Sequence, residues 1–222
     1  MEREILNKVD LTLLGVAEKD GAYQNLVNDA HDNYCASVCI PPCKVEAVKR
    51  YITEKKWDIA VCTVIGFPNG YNTASVKAIE AVEAVKSGAS EVDMVINQGH
   101  IENSRYDACK EEIATVVKHV KATNPKAIVK VIVESAVLEE YQIELLCKIC
   151  AEAGADYIKT STGFHPAGGA SMQAVMAMRR AIDNNKLNLK IKASGGIKTL
   201  EQFISYSRLC ERIGASNIDA IS

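Results

Sequence analysis

Five charged residues interrupt runs that are otherwise apolar and β-type: Asp10 in VDLTL, Asp93 in EVDMVIN, Lys130 in AIVKVIVE, Lys159 in DYIKTST and Lys192 in LKIKASG. Charged side chains are rarely buried unless paired, so these five either meet in one mixed-sign network or stand singly at solvated strand ends. Their recurrence in five separate runs favours a shared site. Lysine is the chemically informative member. Its amine attacks a carbonyl only when neutral, and an unperturbed pKa of about 10.4 leaves little of that form at neutral pH. A second ammonium close by, together with partial desolvation, disfavours protonation. A Lys159/Lys192 pair therefore suits one nucleophilic amine and one retained cation, with Asp93 and Lys130 moving protons or positioning water and Asp10 beside them. Lys159 ends its run just before the turn TSTGFHPAGG, so Thr160 and Thr162 are expected where a carbonyl substrate arrives.

The segment KASGGIKT holds a second clue. Gly195 and Gly196 let backbone N–H groups approach an anion, and a helix beginning near Thr199 adds a favourable dipole. A terminal phosphate is the natural guest, while an ordinary strand-to-helix turn is the plainer reading. Gly214-Ala215-Ser216 after the next run strengthens the phosphate reading.

Metal and disulfide chemistry have weaker footprints. Cys147 and Cys150 have CxxC spacing, but they lie in the helical pattern YQIELLCKICAEAG with no second pair, which favours helix core over a zinc or redox site. Cys35, Cys39 and Cys43 lie in a strand followed by Pro41 and Pro42, so their spacing does not gather three sulfurs on one helical face. The four histidines, His31, His100, His119 and His165, lack paired ligand spacing.

The elements that must position these groups alternate. Strand-like runs fall at 9–13, 36–40, 58–65, 91–97, 127–134, 156–162, 189–195 and, weakly, 212–216, and helical patterns are clearest at 75–88, 106–123, 138–154, 170–182 and 199–214. Eight βα alternations imply right-handed crossovers, a parallel sheet and an α/β fold of the (β/α)8 TIM barrel type. An open doubly wound sheet would want G-x-G-x-x-G after the first strand, which VDLTLLGVAEKDG lacks. The glycines after helices at Gly88, Gly154 and Gly214 fit C-caps, and no linker divides the chain, so residues 1–222 are expected to form a single domain. In such a barrel chemistry gathers at the C-terminal strand ends, and phosphate sites often use the last two βα loops.

Composition bounds the partners. The 222 residues are 48% hydrophobic, enough for one sizeable core, and 26 basic against 28 acidic residues leave a net charge of −2 without any basic cluster. A nucleic-acid partner is not expected. Apolar stretches are too short to span a bilayer and the N-terminus lacks a signal-peptide core, so no membrane partner and a cytoplasmic location are expected. Eight cysteines in a chain of this size fit buried thiols better than a disulfide framework.

Taken in order, DLTL, SVCIPP, EVDMVIN, VKVIVES, DYIKTSTGF and KASGGIKT resemble the 2-deoxyribose-5-phosphate aldolases over nearly the whole chain. The resemblance implies reversible cleavage of 2-deoxy-D-ribose 5-phosphate to D-glyceraldehyde 3-phosphate and acetaldehyde, through an imine on the protein and without metal or other cofactor. It implies that Lys159 is the Schiff-base lysine, Lys192 the second lysine and Asp93 the proton relay, supported by Asp10 and Lys130. Cys39 is implied in the substrate pocket and Gly195, Gly196 and Ser216 at the phosphate. A homodimer or homotetramer is expected from the same likeness. The chain departs from many members at Leu11, often histidine, and at Phe164, where some carry a phosphate-binding lysine. Lys198, often arginine in relatives, is then the candidate cation, and the ending NIDAIS is less regular than usual. Another imine-forming aldolase or lyase acting on a sugar phosphate is the alternative; a metal-dependent aldolase and a non-catalytic barrel are disfavoured by the histidine spacing and the charged strand ends.

Overall fold

Alternation along each strand sorts the chain into two surfaces. Residues such as Val9, Val38, Val61, Val92, Val129 and Ile191 are fully or almost fully buried in one continuous apolar cluster, whereas the intervening positions carry the charged and thiol side chains. Side chains on a strand point alternately to opposite faces, so the first set packs against helices while the second turns inward. The computed structural model describes residues 5–19 and 21–217. Its strands are β1 Val9–Thr12, β2 Ser37–Ile40, β3 Ala60–Ile65, β4 Glu91–Val95, β5 Ile128–Ile132, β6 Tyr157–Lys159, β7 Lys190–Ala193 and β8 Arg212–Ala215. All pair in parallel in chain order, and β8 returns to β1, closing the expected (β/α)8 barrel.

The helices are α1 Ala22–Asp32, α2 Val45–Lys55, α3 Ala74–Lys86, α4 Gln98–Glu102, α5 Tyr106–Thr123, α6 Glu140–Glu152, α7 Met172–Asn185 and α8 Leu200–Ser207. Capping fixes where several begin. Thr73 and Ser171 accept backbone N–H bonds from Val76 and Ala174, and Glu139/Gln142 and Thr199/Gln202 form capping boxes on α6 and α8. The expected helix over 199–214 stops at Ser207 instead. Apolar residues continue beyond it, but Arg212 to Ala215 satisfy their backbone in the barrel, and a turn through Leu209 and Cys210 separates the two elements. The beginning of the NIDAIS ending is described only as far as residue 217, and residues 218–222 lie outside the described part.

One ion pair outside the barrel interior fixes the β3 loop. Lys77 of α3 is fully buried and donates to the carbonyls of Gly70 and Val95 at 2.5 and 2.7 Å and to Glu112 Oε1 of α5 at 2.5 Å. Glu112 Oε2 accepts from the backbone of Asn97 at 3.0 Å, so one pair ties two βα loops together. Burial pulls the Lys77 ammonium below the ordinary lysine range despite Glu112. No helix among the described residues is long and apolar enough to cross a membrane.

Candidate active site

Register brings the charged residues of the sequence together. Asp93 on β4 stands beside Lys130 on β5, Lys159 on β6 beside Lys192 on β7, and Lys192 beside Arg212 on β8. Asp93 is the hub. Its Oδ1 accepts from Lys130 Nζ at 2.8 Å, and its Oδ2 accepts from both Lys159 Nζ and Lys192 Nζ at 2.8 Å. Deeper in the barrel, Lys192 Nζ lies 2.6 Å from Asp10 Oδ2, and Lys130 Nζ lies 2.6 Å from Glu91 Oε2 and 3.6 Å from Asp10 Oδ2. Asp10 Oδ2 and Glu91 Oε2 lie outside hydrogen-bond angles and are held by charge. Arg212 bridges Asp10 Oδ1 and Glu91 Oε1 at 2.5 and 2.9 Å, and Ser37 Oγ donates to Asp10 Oδ1 at 2.8 Å.

The protonation pattern follows from this geometry. Burial alone would raise the Asp93 carboxyl, but Lys130, Lys159 and Lys192 outweigh it and hold it well below the usual carboxylate range. Asp10 is likewise depressed, burial being overcome by Lys192, Lys130 and Arg212. Conversely, burial would strip Lys192 and Lys130 of their protons, yet Asp10 and Asp93 for the first, and Asp93, Cys62 and Glu91 for the second, raise both above the lysine range. Lys192 and Lys130 are therefore retained cations. Lys159 has the thinnest support of the lysines, a single carboxylate oxygen that it shares with Lys192.

Above the network opens a cavity of about 370 Å³ lined by Lys159, Lys192, Thr162, Gly195, Gly196, Lys198 and Ser216 among others. The glycines are required by space and by φ. Gly195 has φ +81, and a Cβ there would come 3.1 Å from the Cα atoms of both Gly163 and Gly169. Gly214, on β8 beside Asp10 of β1, would place a Cβ 2.9 Å from the Ser194 side chain. Gly196 also has positive φ, at +76, but faces open space. Among the described residues nothing accepts from the N–H of Gly195 or Gly196, and α8 starts just beyond them from its Thr199 cap.

Two expected pocket residues lie elsewhere. Thr160 is buried behind the wall, where its Oγ1 accepts from Ser194 N at 3.0 Å and donates to Ser194 O at 3.1 Å, tying β6 to β7. Cys39 is also fully buried and packs with Cys62 and Val64 behind Leu14 and Phe67. Thr160 was expected on the cavity from its place just after Lys159 and Cys39 from the family likeness; instead Thr160 turns onto the Ser194 backbone and Cys39 onto Cys62 and Val64, so neither lines the cavity. Thr162 does line the cavity, held through its N–H by Glu134 Oε1 at 2.6 Å.

Sequence reasoning passed over Glu91, Arg212, Cys62 and Glu134. Glu91 and Arg212 precede Asp93 and Gly214 by two positions and so share their inward face, a signal visible in period-two reading but masked because both begin their runs. Cys62 read as a small hydrophobe, although its Sγ donates to Asp93 Oδ1 at 3.2 Å and receives Lys130 Nζ at 3.3 Å. Cys39, Cys62 and Asp93 also have ligand atoms within 4.8 Å of one another, a spacing a soft cation could use. Asp93 is already engaged by the Nζ atoms of Lys130, Lys159 and Lys192, and the charges of Lys130 and Lys192 oppose a divalent ion there.

Known proteins resemble this chain over almost its whole length. A deoxyribose-phosphate aldolase of Thermoanaerobacter is 45% identical over 213 residues, spanning 96% of this chain and 92% of its own. One from Enterococcus faecalis is 41% identical over 219 residues, spanning 98% and 96%. The solved tetrameric deoxyribose phosphate aldolase of Aeropyrum pernix superposes with a TM-score of 0.88 at 27% identity, covering 100% of this chain and 90% of its own. The model of the DeoC/LacD family aldolases matches residues 8–216, and with a barrel that carries a buried lysine cluster at the C-terminal strand ends, the chain belongs to that family.

Proposed function

We propose that the protein is a class I aldolase that reversibly cleaves 2-deoxy-D-ribose 5-phosphate to D-glyceraldehyde 3-phosphate and acetaldehyde through an imine on Lys159, with no metal or organic cofactor. The observation that carries this reading is the position of Lys159: its Nζ sits at the cavity wall, 2.8 Å from the one Asp93 oxygen that Lys192 also binds. Three carboxylates, Asp10, Glu91 and Asp93, face Lys130, Lys192 and Arg212, so the interior charge balances when Lys159 is the neutral member. A neutral amine is the form that adds to an aldehyde.

In this account the Lys159 amine adds to C1 of the open-chain sugar, and the carbinolamine loses water to give a protonated imine. The imine draws the electrons of the C2–C3 bond as the C3 hydroxyl gives up its proton, releasing glyceraldehyde 3-phosphate. The two-carbon enamine is reprotonated at C2 and hydrolysed to acetaldehyde. Asp93, directly or through water, carries the protons, while Lys192 stays charged and lowers the cost of the developing negative charge. Gly195, Gly196, Lys198, Ser216 and the α8 N-terminus bind the phosphate and so orient the reacting carbonyl. Thr162 shapes the cavity beside it. Assembly as a homodimer or homotetramer, within one catalytic domain per chain, belongs to the same reading; the tetrameric Aeropyrum relative and the exposed apolar Tyr71, Val76 and Ile79 around the start of α3 support it.

The direct test is a coupled assay that follows glyceraldehyde 3-phosphate release from 2-deoxyribose 5-phosphate. Wild type is expected to turn over, and Lys159→Ala to lose turnover while keeping its circular dichroism spectrum and melting behaviour. Near-normal turnover by that variant would refute the assignment.

A further inference from the structure

The interior holds a pair of thiols that the aldol chemistry leaves unused. Cys39 and Cys62 are register partners on the adjacent parallel strands β2 and β3, both fully buried. Partner residues on parallel neighbours point to the same face, and strands about 4.8 Å apart fall inside the Cα separation that a disulfide tolerates. Their sulfurs lie within 4.8 Å of each other and of an Asp93 carboxylate oxygen. The pair sits one side chain behind the cavity wall, because Leu14 lines the cavity and also packs on Cys39, Cys62 and Val64.

We infer that Cys39 and Cys62 form a peroxide-sensitive dithiol whose oxidation to a disulfide switches off the neighbouring site. The two thiols are inequivalent. The neighbouring Cys62 sulfur, aided by Lys192, outweighs burial and holds the Cys39 thiol below its ordinary value, whereas burial together with Cys39 and Asp93 pushes Cys62 well above it. Cys39 is thus the more acidic of the two, the one that attacks as its thiolate, and Cys62 the resolving thiol. Thiolate attack on hydrogen peroxide forms an S–O bond, breaks the O–O bond and releases hydroxide, leaving Cys39 as a sulfenic acid. The Cys62 sulfur then attacks that sulfur; the S–S bond forms, the S–O bond breaks, and the departing hydroxide takes the Cys62 proton to leave as water. In all, one peroxide is reduced to one hydroxide and one water, and the hydroxide becomes a second water on taking a proton from solvent. Because Cys62 donates to Asp93 and accepts from Lys130, the disulfide withdraws a partner from each and disturbs the oxygen pair that positions Lys159. Thiol–disulfide exchange reverses such a bond once reductant reaches it, which suits a reversible modification.

The test exposes the reduced full-length protein to hydrogen peroxide, alkylates the remaining thiols and maps peptides by mass spectrometry. A Cys39–Cys62 cross-linked peptide is expected, with aldol cleavage reduced by roughly tenfold or more and restored by dithiothreitol as the cross-link disappears. In Cys62→Ser no cross-link forms and a larger share of the loss resists dithiothreitol, since Cys39 proceeds to the sulfinic acid. Complete alkylation of both residues after peroxide, or a disulfide mapped to other cysteines, overturns the proposal. The activity readout rests on the aldolase reading, but the peptide map does not, so a failure of either is told apart.

Discussion

Lys159 and Lys192 are the same residue type on adjacent strands, and their neighbours divide their roles. Lys192 is held by Asp10 and Asp93, Lys159 by one shared oxygen. On the proposed mechanism Lys192 is the cation beside the nucleophile, and replacing it with alanine removes that charge. Turnover is expected to fall by about 100-fold or more, and what remains to require more alkaline pH; a pH–rate profile superimposable on wild type would remove Lys192 from this role. Arg212 makes a structural prediction at the same scale. It is half-buried against the buried carboxylates of Asp10 and Glu91, and Arg212→Ala leaves them underpaired, at a cost of about 3 kcal/mol in denaturant unfolding. The five charges inside apolar runs were legible in the sequence because a charge amid Val and Ile has no cheap place in a core. Glu91 and Arg212 were not, since a charge that opens a strand looks like a solvated end until closure of the barrel covers it.

β7 and α8 flank the loop proposed to meet the phosphate, and its glycines leave little latitude. Gly195→Ala forces a side chain against Gly163 and Gly169 at positive φ. It is expected to raise KM for the phosphorylated sugar by about tenfold or more while leaving the weak reaction of unphosphorylated deoxyribose nearly unchanged. An equal effect on both sugars, or comparable kcat/KM for the two in wild type, would move the phosphate elsewhere. The turn and the helix after it were readable from KASGGIKT, since a glycine pair followed by a Thr cap marks a strand-to-helix junction whether or not an anion binds there. The end of α8 was not, because LCERIG satisfies helical periodicity and only the barrel ladder recruits Arg212 to Ala215 into a strand. Lys77 was equally hidden, as a lysine on an amphipathic helix ordinarily faces water. Its burial against Glu112 predicts that Glu112→Ala destabilises the fold by about 3 kcal/mol.

At the scale of the whole molecule, the eight strands converge on one charge network, so the pH dependence of stability should carry its signature. Asp10 and Asp93 are depressed in the fold, so their contribution is complete above the ordinary 3.8 and is lost as pH falls through the lower folded values. Lys130 and Lys192 are raised, so theirs is complete below the ordinary 10.5 and is lost only as pH rises through the higher folded values. The melting-temperature difference between wild type and Asp10→Asn is thus expected to be flat between those limits and to shrink in acid; a difference that grows as pH falls would contradict the network. The closed barrel itself was legible from eight βα alternations, whereas the packing of Cys39 on Cys62 and Val64 and of Thr160 on the Ser194 backbone depends on neighbouring strands, which no local sequence signal carries. The central claim concerns a single nucleophile among all the lysines of the chain. Incubation with acetaldehyde, reduction with borohydride and peptide mapping should give one reduced two-carbon adduct, on Lys159; no adduct, or labelling spread over surface lysines with Lys159 unmodified, would contradict it.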